Sequence, residues 1–207
     1  MSEQVMMLPA GSEPDPQRRL WLTVATGAAG AAAIGTAVPF VSTLTPSERA
    51  KAAGAPIEVD IANLAPGELR VVEWRGKPVW ILRRTPEMVA ALKAANADLV
   101  DPSSARQQQP DYATNAYRSI EPDVFVAVGI CTHLGCSPSM VKANSGNPSV
   151  PATWQGGFLC PCHGSTFDLA GRVFKNKPAP TNLEIPPHRY LSATRLLIGE
   201  DASGVAA

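Results

Sequence analysis

Every cysteine of this chain, and two of its three histidines, fall in two short blocks. The first reads Cys131-Thr132-His133-Leu134-Gly135-Cys136, the second Cys160-Pro161-Cys162-His163-Gly164-Ser165. Cysteine and histidine are the soft and borderline donors of metal sites. A C-x-H pair facing a C-x-x-H pair supplies four of them. Val124-Phe125-Val126-Ala127-Val128-Gly129-Ile130 reads as a buried strand running straight into Cys131, and Phe158-Leu159 leads into Cys160 in the same way. Both blocks therefore begin where a strand ends, which sets loop ligands on a rigid base.

The 207 residues leave room for one ordinary domain and an appendage. Formal net charge is +0, so charge balance gives no support to a nucleic-acid partner. Charged residues make up 17% of the chain, and the deficit has a location: none lies between Leu20 and Leu44. At about 1.5 Å per residue, a helix over that run outreaches a hydrocarbon core of roughly 30 Å. Pro39 predicts a kink near its far end. At its start, Arg18-Arg19 followed by Leu20-Trp21-Leu22 is similar to a twin-arginine export signal, with Gln17 where Ser or Thr is more usual.

Two outcomes of processing are open. A cleaved signal peptide would be cut at a small-residue site such as Ala31-Ala32-Ala33. An uncleaved anchor would keep residues 18–44 in the membrane, and the length of the run favours it over a signal peptide or a buried core helix. The positive-inside rule then leaves residues 1–17 as a disordered cytoplasmic tail and everything after Thr45 outside, in the periplasm. Residues 45–56, with small side chains and two prolines, read as a flexible neck rather than a core element.

The remainder, 57–207, is patterned in short strands. Ile57–Ile61 alternates strictly. Leu69–Trp74 and Pro78–Arg83, around Arg75-Gly76-Lys77, predict a hairpin. Pro86–Ala95 predicts a helix with Thr85 as N-cap. A polar connector follows from Asn96 to Pro122. Gly171–Phe174, Leu183–Ile185 and Leu191–Ile198 read as the last strands. The stretch from Ser137 to Leu159 is long and is expected to protrude around Ser145-Gly146-Asn147-Pro148. Trp154 within it either packs over the fold or only anchors the insertion. His188, beside Pro186-Pro187, reads as an ordinary surface residue.

The two blocks resemble the ligand loops of Rieske proteins, in which two Cys hold one iron of a [2Fe–2S] cluster and two His hold the other. That resemblance implies Cys131 and Cys160 on one iron, and His133 and His163 on the other. It also implies a disulfide between Cys136 and Cys162, read as holding the same place in each block. Asp168-Leu169-Ala170-Gly171-Arg172 and the Pro178-Ala179-Pro180 turn extend the resemblance to Rieske subunits of bacterial cytochrome bc1 complexes, over about residues 15–200. Lys177 stands where Gly is usual before that turn. The implied fold is mostly β: a Rieske-type antiparallel β-sandwich head over 57–207, a small cluster-binding subdomain over about 129–181, and one N-terminal transmembrane helix. Twin-arginine export carries folded proteins, which suits a cluster inserted in the cytoplasm and a disulfide closed later in an oxidising compartment.

Two ferric ions, two sulfides, two thiolates and two neutral imidazoles sum to zero charge, so adding an electron costs less than in a four-Cys cluster. Hydrogen bonds to the sulfurs raise the potential further. Expected donors are the N–H groups of Gly135 and Gly164 and the hydroxyl of Ser165. Phe167 stands where many relatives carry a Tyr hydroxyl, which implies a somewhat lower potential. Structural zinc is the alternative for four Cys/His donors, but its knuckles usually open with longer C-x-x-C spacings. Rieske ferredoxins and ring-hydroxylating oxygenases generally lack counterparts of Cys136 and Cys162. Other exported Rieske subunits, such as that of arsenite oxidase, remain as the alternative.

The resemblance implies a redox subunit of ubiquinol–cytochrome c reductase in the bacterial inner membrane. Its partners would be cytochrome b, cytochrome c1, ubiquinol and membrane lipid, within a dimeric complex. His163 would touch quinol and accept its proton, and the head would move on the neck.

Overall fold

The computed structural model describes residues 15–94 and 97–204, and the chain parts into two compact units between Ala50 and Lys51. Of the tail expected over 1–17, residues 1–14 lie outside the described residues.

The first unit is dominated by helix α1, Pro16–Ser42. Asp15 caps it by accepting from the Gln17 N–H at 2.9 Å, and Pro16 occupies its first turn, where no N–H is needed. The helix is 27 residues long with a mean hydropathy of 1.6 over its best window, so it is long and apolar enough to cross a membrane. Thr23 and Thr36 turn their hydroxyls back onto the carbonyls of Arg19 and Ala32, which removes bare donors from its surface. Arg18 and Arg19 sit in its first turn, where the helix dipole disfavours cations. Their presence there serves something other than helix stability.

Residues 45–56 are not the plain linker expected from their composition: Glu48–Ala53 forms a short helix, α2. Ala-rich sequence favours it, Glu48 and Lys51 sit at the ends that suit their charges, and Ser47 Oγ accepts from the Ala50 N–H.

The second unit holds three three-stranded antiparallel sheets. One joins β1 (Ile57–Asp60), β9 (Arg195–Ile198) and β8 (His188–Ser192). The next joins β2 (Leu69–Trp74), β3 (Lys77–Arg83) and β4 (Val124–Val128). The third joins β5 (Ser139–Val141), β6 (Gly157–Leu159) and β7 (Thr166–Phe167). Helix α3, Pro86–Ala94, begins as expected, with Thr85 Oγ1 accepting from the Met88 N–H.

Period-two geometry explains how these layers stack. On β3, Val79 and Ile81 face one core while Trp80 and Leu82 face another. On β4, Val124 and Val126 go with the first set, Phe125 and Ala127 with the second. The middle sheet is therefore buried on both faces, and β4 reads as a continuous apolar run rather than an alternating one. Its first face packs on β1 and β9 through Val59, Leu196 and Ile198. Its second face packs on Phe158 and Phe167 of the third sheet, and on Cys131 and Cys160.

Two strand expectations are corrected. Leu191–Ile198 is not one strand: it turns at Ala193–Thr194, so β8 and β9 form a hairpin. Gly171–Phe174 and Leu183–Ile185 form no sheet strand, only bridges from Val173 and Phe174. Their backbone is bonded to scattered partners instead: the Leu183 N–H donates to Gly171 O at 2.8 Å and the Ile185 N–H to Gln108 O at 2.9 Å, and two side chains take further amides. Asp168 Oδ1 accepts from the Arg172 N–H and Asn182 Oδ1 from the Val173 N–H. Within the polar connector, Arg118 is wholly buried and donates to the carbonyls of Ala170, Gly171 and Leu183. Trp154 does both things asked of it: its indole N–H donates to Val141 O at 2.9 Å, and its ring packs with Phe174.

Candidate metal centre

Strands β4 and β6 deliver the two cysteine blocks side by side, and the loops share one backbone plan. The Cys131 N–H donates to Cys136 O at 2.7 Å and the Gly135 N–H to Cys131 O at 3.0 Å. In the second loop the Cys160 N–H donates to Ser165 O at 2.8 Å and the Gly164 N–H to Cys160 O at 3.0 Å. Both glycines turn the chain at positive φ, 84° and 74°, where an L side chain is strained. Their N–H groups are thus committed to closing the loops. The expectation that they approach the cluster sulfurs is corrected: these glycines serve the turn.

Superposed by that plan, Cys136 matches Ser165 and Cys162 matches His133. The two spare cysteines therefore hold different places in their loops, not the same one. They are nevertheless joined, Cys136 Sγ to Cys162 Sγ, across a separation of 26 residues. The Cys160 sulfur lies within 4.8 Å of both disulfide sulfurs.

Cys131 and Cys160 are free thiols, buried in the apolar core. Burial pushes the Cys131 thiol above its ordinary pKa; the His133 backbone pulls it down, and the neighbouring Cys160 pushes it up again. A metal cation that draws the thiolates in offsets that burial, and protons leave as it binds. The rings of His133 and His163 meet edge to face, 4.7 Å between centroids at 88°. His133 Nδ1 is buried and has no hydrogen-bond partner, while the His163 side chain is exposed. An orphaned buried ring nitrogen needs an explanation, and a metal ion is the one that neighbouring thiols suggest.

A third segment is tied to both loops. Ser165 is wholly buried and its Oγ accepts from the Ala179 N–H at 3.0 Å. Thr132 Oγ1 donates to Thr181 O at 2.7 Å. The Pro178-Ala179-Pro180 turn is thereby fastened to each block. Thr132 was not singled out from the sequence, where a hydroxyl between two donors carries no distinguishing signal. Phe167 is wholly buried in the core that contains Cys131 and Cys160.

The third histidine is not a surface residue. His188 is buried; its Nδ1 bonds Pro186 O at 2.8 Å, and its backbone N–H donates to the Tyr112 hydroxyl. Burial lowers its pKa to about 4.

Two buried thiols and two adjacent imidazoles fit a [2Fe–2S] cluster of chemically unlike irons, and the class they define is that of the Rieske proteins. A family model for the Rieske [2Fe-2S] domain matches residues 57–187. A second, described as the ubiquitinol-cytochrome C reductase Fe-S subunit TAT signal, matches residues 8–47. The ubiquinol-cytochrome c reductase iron-sulfur subunit of Allochromatium vinosum is 58% identical over 185 residues, covering 89% of each chain. That of Bradyrhizobium diazoefficiens is 42% identical over 195 residues, covering 93% of this chain and all 100% of its own. A solved chain from a hyperthermophilic respiratory Complex III shares 30% identity at a TM-score of 0.45, over 84% of this chain and 98% of its own. The chain belongs to the family of ubiquinol–cytochrome c reductase iron–sulfur subunits. It carries a Rieske-type [2Fe–2S] cluster and a twin-arginine signal region, and it is a membrane-anchored protein.

Proposed function

We propose that this chain is the electron carrier of a quinol–cytochrome c oxidoreductase, with Cys131 and Cys160 on one iron and His133 and His163 on the other. The observation that carries the reading is the pairing of two rings at the end of two loops whose thiols lie buried behind them. A [2Fe–2S] cluster held by two His and two Cys supplies one-electron chemistry at a potential of roughly −150 to +300 mV.

Each residue then has a task. His133 offers its buried Nδ1 inward. His163, exposed, presents Nε2 to a quinol hydroxyl, accepts its hydrogen bond and takes up the proton. The Cys136–Cys162 disulfide holds the loops in register. Ser165, whose Oγ already accepts from Ala179, keeps its own hydrogen free to donate to a cluster sulfur. Pro178-Ala179-Pro180 keeps water from the buried side.

The finer assignments belong to the same proposal. Residues 1–17 are cytoplasmic, 18–44 anchor the chain without cleavage, 45–56 are the neck, and 57–207 form a periplasmic head with its cluster-binding part near 129–181. The electron goes from ubiquinol to cytochrome c1 beside cytochrome b, in a dimeric complex. Electron paramagnetic resonance of reduced membranes tests this. A Rieske spectrum that shifts with a quinone-site inhibitor, in a preparation holding b- and c-type haem, is the expected result. Co-purification with molybdenum and no haem b would overturn it in favour of an arsenite-oxidase-type partner.

A further inference from the structure

The hairpin joining β2 to β3 does something its strands do not require. Its two-residue turn, Arg75-Gly76, has φ of 53° and 70°, the primed turn that suits a tight hairpin. Asn or Gly usually takes the first place, because a larger L residue is strained there. Arg75 takes it here, and its side chain reaches the neck: Nε donates to Gly54 O at 3.2 Å. The guanidinium lies over the Trp74 ring, 4.7 Å from its centroid. Trp74 is buried, and its indole N–H donates to the next neck carbonyl, Ala55 O, at 3.2 Å. From the other side Gly199, at φ 107°, lets the backbone close on the indole; a Cβ there would stand 2.7 Å from Trp74 Nε1.

Two donors on adjacent residues therefore hold two consecutive carbonyls, and Gly199 closes on the indole that supplies one of them. A buried indole N–H has to find an acceptor, and letting go of Ala55 would leave it bare in the core. We infer that Trp74 and Arg75 are a clamp that fixes the head end of the neck at Gly54–Ala55, so that the tether free to move ends with helix α2. The inference rests on the proposed role of 45–56 as a tether and adds where that tether stops. Arg75 is a positioning residue in this scheme, and the strain at its φ is compensated by the grip.

Hydrogen–deuterium exchange on the intact membrane complex tests it, comparing the wild type with Trp74→Phe and Arg75→Gln. Trp74→Phe keeps a buried ring and removes the donor; Arg75→Gln changes an exposed side chain. The clamp requires the peptide spanning residues 48–58 to exchange roughly two- to tenfold faster in each variant, the factor one net hydrogen bond is worth. Peptides of β2 and β3 should stay unchanged. Unaltered exchange over 48–58 in either variant overturns the clamp. So does faster exchange across β2, β3 and the neck together, which marks Trp74 as core packing alone. Should Trp74→Phe fail to assemble, Arg75→Gln decides by the same criterion. The paramagnetic signal, read in parallel, reports on the electron-carrier reading, so the two ideas fail separately.

Discussion

The two ligand loops differ in what they carry, not in how they are built. Each closes with the same pair of backbone hydrogen bonds: the first cysteine N–H donates to the carbonyl five places on, and the glycine four places on donates back to that cysteine's carbonyl. Yet the third place holds His133 in one loop and Cys162 in the other, and the closing place holds Cys136 in one and Ser165 in the other. A shared frame with unequal side chains yields two buried thiols, two neighbouring rings, one disulfide and one buried hydroxyl. Backbone bonding sets the position of a loop residue here, and its chemistry is then free to vary.

The first way to break this comparison is at the shared place. Cys131 and Cys160 open their loops identically, so Cys131→Ala and Cys160→Ala should each abolish the visible and paramagnetic signature completely. An intact spectrum in either variant sinks the ligand assignment. His133→Ala and His163→Ala should lose it as fully, despite their different exposure.

The next test makes the closing places alike. Cys136→Ser leaves all four donors and gives both loops a serine at the end. It removes a cross-link between residues 26 apart in sequence, worth about 3.5 kcal/mol in the chain-entropy account. A labile cluster and a lower unfolding midpoint are expected, read by loss of the paramagnetic signal over time and by calorimetry. Equal lifetime and midpoint in the variant would show that backbone bonds alone hold the loops.

This loop symmetry was invisible in the sequence. The blocks, their strands and the family were legible there, because metal donors cluster at fixed spacing and β4 is a continuous apolar run. The pairing of Cys136 with Ser165 was not, since it lies in backbone bonds that residue names do not encode. The third sheet hid for a similar reason: short strands such as β7, Thr166–Phe167, are defined by their neighbours rather than by pattern. The short helix α2 had its signal, a serine before Glu48 and an Ala-rich run, but two flanking prolines outweighed it. His188 misled because polar residues near prolines are usually exposed.

His188 sharpens the contrast between ligand and structural histidines. His133 has a buried nitrogen without a partner; His188 has its Nδ1 bonded to Pro186 O. Burial holds the His188 pKa down to about 4, against 6.5 for the free side chain, so the unfolded chain binds the proton more readily. Its contribution to stability is therefore full above pH 6.5 and is lost as pH falls toward 4, by roughly 3 kcal/mol in all. Denaturant titrations at several pH values should show that slope, and His188→Asn should flatten it. An unchanged slope in the variant would mean that another group carries the acid sensitivity.

The smallest expected effect lies at the second closing place. Ser165 Oγ accepts from the Ala179 N–H and packs beside the Cys131 thiol, whose pKa it lowers. A hydroxyl that favours a thiolate also favours the reduced, more negative cluster. A hydrogen bond to a charged acceptor is worth about 1.5–3 kcal/mol, and only the difference between redox states counts. That difference should be about 1 kcal/mol, on the order of 40 mV for one electron. Ser165→Ala should therefore lower the midpoint by tens of millivolts while all four ligands remain. Voltammetry on the isolated complex reads the shift, and the paramagnetic spectrum checks that the cluster is whole. If Ser165→Ala leaves the midpoint unmoved, the hydroxyl serves only to hold Ala179, and the two closing residues differ in what they fasten rather than in how they tune the cluster.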